Sequence, residues 1–194
     1  MKLLVTFDDA ALRQEIEGLD EVAAGAFRTQ VVGALNRVGA ELHQAIIAPL
    51  RMQTGLSGST VPRSVHDVGA SEAEISYSLV TRGGDISLKY FNAREERGGV
   101  LAFPWGNVRT FVAGAFIKSG RGANRRLSPK LNGQVFRNVA GGVWRGKIKK
   151  VKSGVFIPNE MVIGETAAVF QRVVAEELPP AVGRVLTLVA GRRG

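Results

Sequence analysis

Apolar positions along the chain follow two periods. Phe27, Val31, Leu35, Val38, Leu42 and Ile46 recur at steps of four, four, three, four and four. That spacing lays one apolar stripe on one face of a helix. Asp20 is placed to cap its start, and Glu21 in the first turn suits the positive end of the helix dipole. Pro49 is expected to end the helix, because the residue before a proline is pushed out of the α region. Upstream, Lys2–Phe7 reads as a short strand before the turn formers Asp8 and Asp9, and Ala10–Glu17 as one or two helical turns ending near Gly18. Downstream, residues 51–63 read as a loop punctuated by Thr54, Gly55, Ser57, Gly58, Ser59, Thr60 and Pro62.

The period then changes to two. Ile75, Tyr77 and Leu79 alternate with polar residues, as do Ile86, Leu88 and Tyr90, with Thr81-Arg82-Gly83-Gly84-Asp85 between the runs. This predicts a β-hairpin with a glycine turn. Strand-like runs follow at Val100–Phe103 and Val108–Val112 around the turn Pro104-Trp105-Gly106-Asn107, and again at Val135–Val139. Between them Ser119–Asn132 has almost no apolar content and reads as a long mobile basic loop. Lys147–Ile157 is basic and partly extended. Pro158 and Asn159 are suited to start a last helical region, whose apolar face is Val162, Val169, Phe170, Val173 and Val174. Pro179-Pro180 is expected to stop it, with a second short helix over Ala181–Val189. The predicted class is α+β: a long N-terminal helix and a C-terminal helix packed on an antiparallel sheet. Residues 1–194 form one expected domain with a frayed tail at 191–194.

Charge changes this picture. Residues 97–159 contain no Asp or Glu and hold thirteen of the 26 basic residues. Outside that stretch 13 basic and 17 acidic residues remain, a charge of −4 in a chain whose formal total is +9. The positive charge is therefore local, and a local cationic field attracts polyanions without reading sequence. The candidate contacts are Arg109, Lys118, Arg121, Arg125, Arg126, Lys130, Arg137, Arg145, Lys147, Lys149, Lys150 and Lys152, with Arg97 opening the run. The plain alternative is a set of solvated loops. Trp105, Phe111, Phe116, Phe136 and Trp144 are interleaved with these cations. Aromatics so placed can stack on bases, although Phe111, Phe116 and Phe136 read better as core residues of strands. The two tryptophans, each beside a glycine in a turn, are open either way. No recognition-helix or RNA-binding motif is present.

Little suggests chemistry. There is no Cys, which excludes disulfides and thiolate metal sites. His43 and His66 lack a second ligand at metal spacing. The pairs Asp8-Asp9, Glu95-Glu96 and Glu176-Glu177 are adjacent residues that point apart, so none is a ready acid–base dyad. Gly120-Arg121-Gly122 lacks the flanking strand and helix of a dinucleotide loop. No catalytic residue, metal or cofactor is expected. The apolar runs are too short to span a bilayer, and Leu3–Phe7 between one Lys and two Asp is not a secretory leader.

A series of short motifs resembles the prophage minor tail protein Z family of tailed bacteriophages, over about residues 20 to 190. The motifs are Ala34-Leu35-Asn36-Arg37 in the long helix, the run Ile86 to Arg94 ending in Tyr90-Phe91-Asn92-Ala93-Arg94, Gly99-Val100, Gly114-Ala115-Phe116-Ile117, Gly133-Gln134-Val135-Phe136-Arg137, and Lys147-Ile148-Lys149-Lys150-Val151 on to Pro158. The resemblance lies in their order and spacing. The chain departs from it at Ser119–Asn132 and at the glycine-rich Ala140–Gly146. What the resemblance implies is a structural virion protein of the neck or tail, made in the host bacterial cytoplasm and without catalytic residues. It would join tail to head as a homo-oligomeric ring, a hexamer being favoured, around the DNA channel. Its partners would be copies of itself, neighbouring head-completion, tail-terminator or tail-tube proteins, and genomic DNA phosphates contacted non-specifically, with no membrane. Ring contacts are expected on the long helix and on residues 74 to 91. The alternative is a non-specific DNA-binding accessory protein acting free of the particle.

Overall fold

The stripe from Phe27 to Ile46 is the spine of the core. In the computed structural model, which describes residues 2–6, 21–120, 125–139 and 147–190, those six side chains are all buried on helix α1 (Glu21–Thr54). The stripe then continues in phase through Leu50. That continuation explains why Pro49 does not end the helix. Ile46 and Leu50, on either side of it, are both fully buried. Burying such a side chain contributes about 1.5–3 kcal/mol, comparable to the ~3 kcal/mol that an interior proline costs. Four more residues of helix follow, up to Thr54, whose hydroxyl donates to Leu50 O at 2.7 Å. Gly55, at φ +75°, closes the helix with its N–H donating to Arg51 O at 2.9 Å. The expected loop is therefore shorter, and it is broken again by helix α2 (Thr60–Ser64), which buries Val61. Asp20 and Ala10–Glu17 lie outside the described residues.

The same logic overrides Pro179-Pro180. After helix α4 (Ile157–Met161), helix α5 runs unbroken from Gly164 to Ala190. Val174, Leu178, Ala181 and Val185 keep one helical phase across the prolines and turn toward the core, while both prolines are exposed. The amide donors they lack are thus lost on the solvent side. Helices α1 and α5 pack along each other. A polar knot fixes their ends. Gln53 Nε2 donates to Glu160 Oε2 at 2.7 Å, and Gln53 Oε1 accepts from Thr166 Oγ1 at 3.2 Å. Glu160 and Thr166 are both buried, so the knot satisfies polar groups that water does not reach.

The fold is α+β, with the antiparallel strands of the described residues in three sheets of three. The first has the order β1 (Lys2–Thr6), β3 (Ser76–Thr81), β2 (Val65–Val68). With β1 and β2 on its two edges, β3 has no edge left for the run Ile86–Tyr90, and the expected hairpin does not form. That run joins a later segment instead: Ile86 N donates to Val155 O (3.0 Å), Leu88 N to Val151 O (3.2 Å), and Ser153 N to Ile86 O (2.9 Å). Leu88–Tyr90 is one 3₁₀ turn. The second sheet is β4 (Arg94–Glu96), β5 (Gly99–Ala102), β6 (Thr110–Ala113), with β5 central and buried throughout. Between β5 and β6 lies the single turn α3 (Pro104–Asn107). The third sheet is β7 (Ala115–Phe116), β8 (Phe136–Asn138), β9 (Ile148–Lys150). Among the described residues no helix is long and apolar enough to cross a membrane.

Candidate nucleic-acid interface

The acid-free stretch builds the third sheet, β5 and β6 of the second, and the connections around them. In β8 and β9 the alternation is amphipathic. Phe136 is buried and Ile148 half-buried, while Arg137 and Lys149 are exposed. The register sets Arg137 opposite Lys149, with Lys147 just before β9. Like charges directly opposite each other destabilise a strand pair. No ion pair among the described residues engages any of these three cations. Beneath them Phe136 lies against Phe116, ring centroids 6.3 Å apart. The core reading matches the burial of Phe136, whereas Phe116 is only half-buried. Phe111 differs: it is 49% exposed, because its strand β6 is the edge of its sheet and its ring lies over Gly99, where an added Cβ would come within 2.7 Å of Cζ.

The remaining candidates fall into separate groups. Lys118, Arg126 and Lys130 are exposed along the Ser119–Asn132 connection, and Arg109 is exposed between α3 and β6. Lys150, opposite Phe136, is exposed at the end of β9. Lys152 is committed locally, donating from Nζ to Asp85 O at 2.8 Å. Arg121, Arg145 and Trp144 lie outside the described residues, as do the rest of 140–146 and the tail at 191–194.

Arg125 is committed as well. Its guanidinium pairs with Glu95, whose side chain is only 9% exposed. The other oxygen of Glu95 accepts from Ile117 N at 2.8 Å and Lys118 N at 2.7 Å. Ser119 and Arg126 exchange two backbone hydrogen bonds, both 3.0 Å, and Pro129–Leu131 forms a 3₁₀ turn. The described ends of the expected mobile loop are thus clasped to β4. The pair Glu95-Glu96 does split as adjacent strand residues must, Glu95 inward and Glu96 outward. What the sequence did not show was that the inward carboxylate holds the backbone 22 and 23 residues on. Glu95 also borders a cavity of about 650 Å³. Both of its oxygens are already engaged, by an arginine and two amides, which suits a structural clasp.

One polar cluster stands apart. Asp67 on β2 lies 3.4 Å from His43 Nδ1 on α1, and faces Tyr77 diagonally across β2–β3. Burial, and then the charge of Asp67, push the Tyr77 hydroxyl up to about 12. A phenol held that firmly protonated is a poor nucleophile or base near neutrality. Among the described residues there is no group of three His, Asp or Glu that could hold a metal ion.

No family model matches the chain, and neither a curated protein nor a solved structure matches it.

Proposed function

We propose that the chain is a structural subunit of the bacteriophage head–tail junction, a minor tail or neck protein without catalytic activity, that acts in the assembled virion. Copies form a ring around the DNA channel, with the β8–β9 face turned toward the phosphates. The observation that carries this reading is the Arg137–Lys149 juxtaposition, engaged by no ion pair among the described residues. Two facing cations cost the isolated sheet stability, and a polyanion laid across them reverses the sign of that term. Phosphate contacts of this kind are blind to sequence, as a subunit that must let any stretch of genome pass requires. The ordered motif series supports the same reading.

The juxtaposition lies within one subunit, which also favours a second reading, a free accessory protein that binds DNA as a monomer. The test is duplex binding across a salt series, together with mass measurement of the bound species. A neck subunit binds as a closed oligomer and is found in purified particles. An accessory protein binds as a monomer and is absent from them. Each phosphate neutralised contributes about −0.9 to the slope of log K against log salt, and the absence of duplex binding at about 50 mM salt by any species would remove both readings.

A further inference from the structure

In the small sheet β4–β5–β6, a partly exposed aromatic follows one end of β5 and a cavity lies at the other end. Past the end of β5, Trp105 (φ 54°, ψ 61°), Gly106 (φ 65°) and Asn107 (φ 72°) are all left-handed. That conformation costs a bulky L-residue about 1–2 kcal/mol. It persists only where the surroundings over-determine it, and such positions cluster at binding sites. Here the surroundings do over-determine it. An added Cβ on Gly106 would come within 3.1 Å of Met52 O, and one on Gly55 within 2.8 Å of Phe103 O, so α3 sits tightly on the end of α1. Held in this way, Trp105 is 42% exposed, one edge of its indole lying over Gly154, and Met52 and Val108 are exposed as well.

At the opposite end of β5, where Gly99 pairs with Glu96, lies the cavity of about 650 Å³, walled among others by Gly99, Ala115, Phe116, Lys118, Ser119 and Ile148. The four residues of β5 separate the two features by about 13 Å. Arg109 is exposed near Trp105, and Glu96 is exposed at the cavity. Neither is ion-paired among the described residues.

We propose that copies of this chain associate head to tail, with Trp105 of one copy seated in the cavity of the next and Arg109 facing Glu96 across the contact. The proposal rests on the ring reading and supplies the joint between its subunits. A contact that uses different patches on its two sides propagates around a ring, and a tryptophan in a pocket is a common dominant residue of such a joint. The placement of Trp105 and the cavity at opposite ends of one rigid sheet lets every copy give and receive.

Sedimentation of the full chain without nucleic acid tests this. Trp105→Gly removes the indole and relieves the left-handed strain, so the fold is kept, and self-association is expected to weaken at least about tenfold. Trp105→Asn, which also tolerates that backbone, should do the same. Ser119→Trp, filling the cavity from its wall, should weaken it as much. Mixing the Trp105→Gly and Ser119→Trp chains should give a 1:1 dimer that grows no further, because one keeps its cavity and the other its Trp105. Should Ser119→Trp not fold, the charge pair gives the second test: Glu96→Arg and Arg109→Glu each weaken association, and together they restore it. A wild-type chain that stays monomeric at all concentrations, a Trp105→Gly chain that associates like wild type, or a charge swap without rescue would overturn the contact. These variants leave Arg137 and Lys149 in place. A wild-type chain that binds duplex as a closed oligomer and still assembles without Trp105 would therefore count against this joint alone, assembly without duplex binding against the DNA reading alone, and duplex binding by a wild-type monomer against the ring reading itself.

Discussion

Arg137 stands directly opposite Lys149 across the β8–β9 ladder, both exposed, with no ion pair to either among the described residues. If the pair serves a phosphate, neutralising it should weaken duplex binding while relieving the sheet. Arg137→Gln and Lys149→Gln are each expected to flatten the salt dependence by about one unit of slope. Stability should stay level or rise by about 0.2–1 kcal/mol. Fluorescence anisotropy across a salt series and a denaturant titration read the two effects. A large loss of stability with binding unchanged would show the pair to be structural.

The Glu95 clasp separates Arg125 from its neighbours. Arg126→Ser and Lys130→Ser change only exposed side chains and should lie within about 0.5 kcal/mol of wild type. Glu95→Ala orphans the N–H groups of Ile117 and Lys118 and leaves Arg125 only its hydrogen bond to Lys118 O, so a loss of about 1–3 kcal/mol is expected. Urea denaturation checks the series. Equal, negligible effects at Glu95 and Lys130 would mean that the connection is not clasped.

Gly39 lies under the Tyr77 ring, so that an added Cβ would overlap Cγ, Cδ1 and Cδ2. Gly39→Ala must push α1 off β3, at an expected cost of about 1–3 kcal/mol, although alanine is the better helix former. A stabilised Gly39→Ala variant in thermal melts would refute that packing.

The Tyr77 hydroxyl gives a pH signature. Its folded value, about 12, lies above the ordinary 10.0. The folded state therefore holds this proton more tightly than the unfolded chain does. The stability linked to it is complete below pH 10 and is lost as pH rises from 10 toward 12. Tyr77→Phe should remove that part of the alkaline decline, followed as unfolding free energy against pH. An unchanged slope would exclude Tyr77 as its source.

Much of the architecture was legible because burial and period coincide. The six-residue stripe on α1, the burial of Phe136 and the β5 strand all came from spacing. The misreadings share one cause: local signals lost to tertiary packing. Pro49 and Pro179-Pro180 are helix breakers by their own chemistry, yet Leu50 on one helix and Ala181 and Val185 on the other keep the buried phase beyond them. The glycines at 83 and 84 advertise a hairpin, but β3 already has two neighbours. For the site, sequence showed where the cations are concentrated. It did not show that Arg137 and Lys149 would face each other, that Arg125 would be neutralised, or that Trp105 would be left-handed. Each of these depends on strand register or on residues distant in the chain.

Electron cryomicroscopy of the full chain mixed with linear duplex tests the central claim most directly. The expected reconstruction is a closed ring threaded by the duplex, with Arg137 and Lys149 of every subunit lining the bore. Single subunits scattered along the DNA, or a ring that carries those two residues on its outer wall, would contradict it.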